Sequence, residues 1–226
     1  MNHNKFQIDD EQQTTIPILD FVKIKTFEAA KENRIVIFNS EVNRNIIETV
    51  WFQIEHIIAS DEDKSKPVYL YINSEGGYEY EALFLCDYIR SCVTPIITIG
   101  MGYCMSAAFY ILISGHQRIC FKNTILMTHD SHIYLEDKMP AARSTMKHYE
   151  KLDEAFTKIM VEQSNLDEKF IREKISSQRE WYISTTEARN CKLVDTLISP
   201  TFTQKNILKI IEQSKKENAK NSKRKV

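Results

Sequence analysis

Apolar positions along this chain change period several times, and each change marks an element. "RIVIF" (34–38) is a short apolar run that predicts a buried strand. The segment "NIIETVWFQIEHIIAS" then places Ile46, Ile47, Val50, Trp51, Ile54, Ile57 and Ile58 on one helical stripe. After the solvated loop "DEDKSK", "PVYLYIN" (67–73) returns to strand character, and a Gly-Gly turn leads into the predicted helix "YEYEALFLCDYIRS". "TPIITIG" (94–100), "RICF" (118–121) and "TILMTH" (124–129) predict three more strands, with the apolar "AAFYILIS" as helix material between the first two. Strands alternating with helices imply right-handed crossovers and an α/β fold built on a largely parallel sheet.

A longer amphipathic segment fills 140–163, with Met146, Tyr149, Leu152, Phe156, Ile159 and Met160 at helical spacing. This stripe has no evident place in a compact single domain, so it reads as contact surface for another copy. "REWYISTTEARNCKLVDTLIS" predicts a strand, a helix opened by the capping box Ser184/Glu187, and a last apolar run. Residues 1–26 form a polar segment interrupted by the "IPIL" patch, 27–200 a single domain, and 201–226 a tail. From Lys205 onward that tail carries eight Lys/Arg against two acids, a pattern usual for a solvated end.

Composition narrows the classes. Of the 226 residues, 42% are hydrophobic and 27% charged, and the net charge is −1. These are the proportions of a soluble globular protein able to fill a core, with no global bias toward nucleic acid or a membrane surface. The polar opening predicts no secretory leader, and no apolar run reaches the roughly eighteen residues a membrane span requires. Cys86, Cys92, Cys104, Cys120 and Cys191 show neither a CxxC pair nor metal-ligand spacing, which fits reduced thiols in a cytoplasmic protein without a metal.

The chemistry gathers around Ser106, at the head of the run "SAAFYILIS". A hydroxyl there could cap the helix, pack by accident or serve as a nucleophile. Ala107 and Ala108 behind it leave room for a substrate carbonyl. The turn "NSEGG" (73–77) frees the backbone at Gly76 and Gly77 and can turn amide N–H groups toward an anion. Among the six histidines, His129 closes a strand at the carboxyl edge of the sheet, the place for a general base. His132, three residues on, lies in a loop. The carboxylate that would orient the imidazole is left open by spacing, with Glu180, Asp130, Asp167 and Asp195 all available.

Taken together, these stretches resemble the proteolytic subunits of the ATP-dependent Clp protease, serine peptidases of the crotonase-like superfamily. "YLYINSEGG" resembles that family's strand and oxyanion turn, with Glu75 where a proline is usual. "GYCMSAAFYILISG" resembles its serine loop and helix, and "RICFKNTILMTHD" its path to the histidine. "REWYISTTEARNCKLVD" is similar to its R-D-R-F-L-S-A-x-E-A-x-x-x-G-L-V-D stretch. Aligning on Gly115 puts Ser106 on the nucleophile, whereas another register would put Cys104 there. The resemblance runs from about residue 27 to residue 198, with the motifs in family order.

The resemblance implies a twisted, partly parallel sheet with a long projecting handle helix at about 140–163. It implies Ser106, His129 and Glu180 as the catalytic set, Glu180 replacing the usual aspartate. It places the oxyanion hole on the backbone N–H groups of Gly77 and Ala107, with Gly76 in the substrate turn. It further implies stacked seven-membered rings, an AAA+ Clp ATPase feeding polypeptide substrates, and no cofactor. Two related alternatives are a catalytically silent ring subunit and a prophage peptidase that processes capsid proteins without an ATPase.

Overall fold

A computed structural model of the protein describes residues 28–131 and 139–199. The chain alternates as the hydrophobic pattern requires: β1 (Ile35–Phe38), α1 (Arg44–Ala59), β2 (Val68–Ser74), α2 (Glu79–Ser91), β3 (Ile96–Met105), α3 (Ala107–Ile113), β4 (Gln117–Phe121) and β5 (Ile125–His129). The long helix α4 (Met139–Gln163) follows, then α5 (Glu168–Gln178), β6 (Glu180–Ile183), α6 (Thr185–Asn190) and β7 (Thr196–Ile198).

The strands among the described residues join in one sheet of order β1-β2-β3-β4-β7, with β5 paired to β3 and β6 to β5. Every pairing is parallel except β5 with β6. On the edge away from β2, strand β3 serves two partners in succession. Ile97–Gly100 pair with β4, and Tyr103–Met105 pair with β5. The sequence predicts that this strand ends at Gly100. It continues five residues further because Gly102, at φ 65°, carries the backbone through the change of partner, and a Cβ there would collide with the Asn73 side chain.

Burial follows the strand and helix periods. In β2, Val68, Leu70, Ile72 and Ser74 point into the main core while Tyr69 and Tyr71 face the other side of the sheet. α1 buries Ile47, Val50, Ile54 and Ile57, and its N-cap Asn43 accepts a hydrogen bond from the Ile46 N–H. All seven residues of α3 are buried, so this short helix runs through the middle of the core rather than over its surface. α5 escapes the hydrophobic pattern, since only Ile171 and Ile175, one turn apart, are buried in it.

The apolar stripe of α4 divides in two. Leu152, Phe156, Ile159 and Met160 are buried within the same chain, and Phe156 packs against Tyr110 with ring centroids 4.3 Å apart. This corrects the expectation that the whole stripe is contact surface. α3 and α5 lie against its second half and supply the apolar surroundings that the spacing alone could not reveal. Residues 139–151 contain no buried position, and Met139 and Met146 are exposed there. Half of the helix is core and half stands outside it.

Replacing Phe156 by Ala leaves a cavity between α3 and α4 and should lower the unfolding free energy by about 3–5 kcal/mol. Urea denaturation at fixed protein concentration measures this, and a loss below about 1 kcal/mol would contradict the burial of Phe156.

Candidate active site

The residue between β3 and α3 is held from both sides. Ser106 N–H donates to the Met127 carbonyl at 2.8 Å, and the Ser106 carbonyl accepts from Phe109 N–H at 3.0 Å. Its backbone sits at φ 52°, ψ −127°, a conformation a residue with a Cβ holds only when its surroundings impose it. Ser106 occupies the N-cap position of α3, yet its side chain makes no capping hydrogen bond. Ser106 lines a cavity of about 220 Å³ shared with His129, Gly77, Tyr78, Glu79, Tyr80 and Tyr149.

Both glycines of the turn after β2 have spatial reasons to be glycine. Gly76, at φ 104°, lies so close to the serine that a Cβ on it would sit 2.7 Å from Ser106 Cβ and 3.1 Å from the Ala107 nitrogen. Gly77, at φ 143°, would push a Cβ to 2.3 Å from the Val42 carbonyl oxygen. The turn is laced in place: Gly76 N–H donates to Ser74 Oγ, Val42 N–H to the Gly76 carbonyl, and Tyr78 N–H to the Val42 carbonyl. Asn73 Oδ1 accepts from Tyr103 N–H, tying the same turn to the second half of β3.

His129 ends β5 beside the cavity. Its Nδ1 lies 2.6 Å from the Asp130 carbonyl oxygen, so Nδ1–H is the donor, and a neutral ring then carries its lone pair on Nε2. The antiparallel ladder sets Glu180 directly opposite His129. Directly opposed residues share a face, so the carboxylate and the imidazole stand on the same side of the sheet. Glu180 Oε2 accepts from Tyr182 Oη at 3.3 Å, and Glu180 does not line the cavity.

The other carboxylates have work elsewhere. Asp167 caps α5 by accepting from Phe170 N–H at 2.8 Å. Asp195 binds Arg118 through both carboxylate oxygens, at 2.7 and 3.0 Å, joining β4 to the approach of β7. Asp130 stays beside the histidine, its carboxyl drawn above the ordinary range first by partial burial and then by the charge of Asp153. Cys104 is fully buried, its thiol donates toward the Ile72 carbonyl, and burial holds it well above the ordinary thiol range. That is no place for a nucleophile. His56 is exposed on α1, His116 Nδ1 accepts from Ile96 N–H, and His148 stacks on Tyr80. His3 and His132 lie outside the described residues.

The cavity wall contains residues that the sequence pattern does not assign to the site. Tyr78, Glu79 and Tyr80 follow the Gly-Gly turn at the head of α2, and Tyr149 reaches it from α4. Ser131 joins these elements: its hydroxyl lies 2.7 Å from a Glu79 carboxylate oxygen and 2.8 Å from one of Asp153, with one proton to donate between them, and its N–H donates to Asp153 at 3.2 Å. Among the described residues, no three His, Cys, Asp or Glu side chains converge as a metal-binding group.

The family described as Clp protease matches residues 20–201, most of the chain and every element of the site. The chain belongs to the Clp protease family. The ATP-dependent Clp protease proteolytic subunit 3 of Parasynechococcus marenigrum is 28% identical over 173 residues, covering 74% of this chain and 82% of that protein. The proteolytic subunit 2 of Treponema denticola is 26% identical over 166 residues, covering 73% and 81%. In three dimensions the chain resembles a ClpP1 mutant from Listeria monocytogenes, with a TM-score of 0.69 at 20% identity over 78% of this chain and 97% of that one. The α/β Clp protease fold expected from the motifs is therefore the fold of this chain.

Gly76→Ala forces a Cβ against Ser106 at a backbone angle that L residues avoid. It should destabilise the protein by about 1–3 kcal/mol and displace the serine. Thermal unfolding together with reactivity of the Ser106 hydroxyl tests both halves; an unchanged melting curve and unchanged reactivity would show that the turn does not press on the serine.

Proposed function

We propose that this Clp protease family member is a serine endopeptidase. The observation that carries the reading is a single cavity shared by Ser106, in a constrained backbone, His129 and the glycine turn. Ser106 Oγ attacks the peptide carbonyl, and His129 Nε2 takes its proton and returns it to the leaving amine. Glu180, on the ladder position opposite His129, stabilises the imidazolium as the charge develops. The N–H groups of Gly77 and Ala107 receive the oxyanion, a contribution of about 3–4 kcal/mol per donor in sites of this kind. The nearness of Gly76 to the Ala107 nitrogen supports the pairing of these two segments around one substrate oxygen.

In this reading the substrates are unfolded polypeptides cleaved inside a chamber of stacked seven-membered rings in the cytoplasm, fed by an AAA+ Clp ATPase. The names of the relatives, ATP-dependent proteolytic subunits, support the coupling to an ATPase. The exposed first half of α4 is the surface available for contact between rings. No helix among the described residues is long and apolar enough to cross a membrane.

A fluorophosphonate probe should label Ser106, and Ser106→Ala should abolish labelling. Intact rings that take no label would make the chain a silent subunit instead. Glu180→Gln should leave fold and assembly unchanged and lower peptide hydrolysis by orders of magnitude, up to about 10⁴. Glu180→Asp should keep most of the activity. Asp195→Asn, which breaks the Arg118 contact, should reduce stability while leaving the rate per folded molecule close to wild type. If Asp195→Asn abolishes hydrolysis in a folded protein and Glu180→Gln does not, the third residue has been misassigned.

A further inference from the structure

α3 carries the nucleophile at its head and β5 carries the base at its end, so the chemistry depends on how these two elements sit against each other. One backbone hydrogen bond, from Ser106 N–H to the Met127 carbonyl, fixes their near ends. It leaves the roll of α3 about its own axis undetermined. One turn further along the helix, Tyr110 is the single polar side chain among seven otherwise apolar residues. Its hydroxyl lies 2.7 Å from Thr128 Oγ1, the residue immediately before His129. Tyr110 is 5% exposed and Thr128 0%. Water therefore cannot substitute for either hydroxyl.

Successive side chains of a strand point to opposite faces, so Thr128 anchors β5 on the face away from the imidazole. The Tyr110 ring also packs on Phe156 of α4, centroids 4.3 Å apart, so a roll of the helix would have to break that contact as well. Burial, assisted by the charges of Asp153, Asp130 and Glu79, keeps the phenol protonated, so the contact is a hydrogen bond between two neutral hydroxyls.

We infer that Tyr110 and Thr128 form a positioning pair that sets the alignment of Ser106 with His129. The inference rests on the serine peptidase reading above. It adds two residues that touch neither substrate nor reacting atoms. Removing one hydroxyl leaves the other without a partner in a dry core, and the element carrying it shifts to find one. Removing both leaves two apolar surfaces of nearly unchanged shape, which is a milder change.

The test is a cycle of Tyr110→Phe, Thr128→Val and the double variant, assayed well below the unfolding transition of each. Each single change should lower kcat about tenfold with little change in KM. The double variant should lose no more than one single variant, rather than the roughly 100-fold of two independent effects. A second readout needs no catalysis: the ring ¹³Cε1 signal of labelled His129 should move in both single variants and return toward wild type in the double. Single variants that melt earlier but keep kcat and the His129 signal would reduce the pair to core packing and overturn the inference. Losses that multiply in the double variant would also overturn it. Should the wild-type protein take no probe and cleave no peptide, the peptidase reading fails on its own, while the His129 signal still decides whether the pair positions the ring.

Discussion

β3 cannot pair with β4 and β5 over the same residues, and the way it divides itself between them governs the rest of the molecule. Its first half lies in the sheet with β4; its second half leaves that partner and takes β5. The Gly102 conformation makes the change possible, and the Ser106 N–H bond to Met127 closes it. The fork brings the end of β3, the head of α3 and the end of β5 to one point. Since β6 pairs with β5, Glu180 arrives opposite His129 as a consequence of the same arrangement.

Around that point, close packing and polar contacts divide the labour. The glycine turn packs so tightly on Ser106 that no side chain fits between them. Two buried hydroxyls tie α3 to β5 from beneath, while Ser131 binds Glu79 of α2 and Asp153 of α4 beside the histidine. α4 therefore supports the site twice, through Phe156 under Tyr110 and through Asp153 at Ser131. A helix whose first half is exposed is joined through its second half to the elements that hold the serine and the histidine.

Much of the candidate site was legible in the chain because short, local signals mark the residues that the fold gathers around the cavity. A Gly-Gly turn after a strand, a serine before two alanines, and a histidine closing a strand each have a local physical meaning. The candidate acid was not legible in this way. Asp130, Asp167, Asp195 and Glu180 look alike in sequence, and three are distinguished only by what they bind: a helix N-terminus, Arg118, or the opposite position in a ladder. Tyr149 was also hidden, because a residue on a long amphipathic helix reveals nothing about which cavity it reaches.

By itself the sequence determined the alternation of strands and helices, the parallel connections between them, and the faces that most strands and α1 bury. These follow from side-chain period and backbone preference, which act over a few residues. α5 fell below that threshold, since two isoleucines one turn apart are too few to establish a period. Tertiary structure alone decided where β3 changes partner, which half of the α4 stripe is core, and which carboxylate stands on the ladder position opposite the histidine. The physical reason is the same in each case. Phe156 and Ile159 are buried because α3 and α5 lie against their helix, and Glu180 stands opposite His129 because β6 runs antiparallel to β5, contacts between segments far apart in the chain that no local pattern encodes.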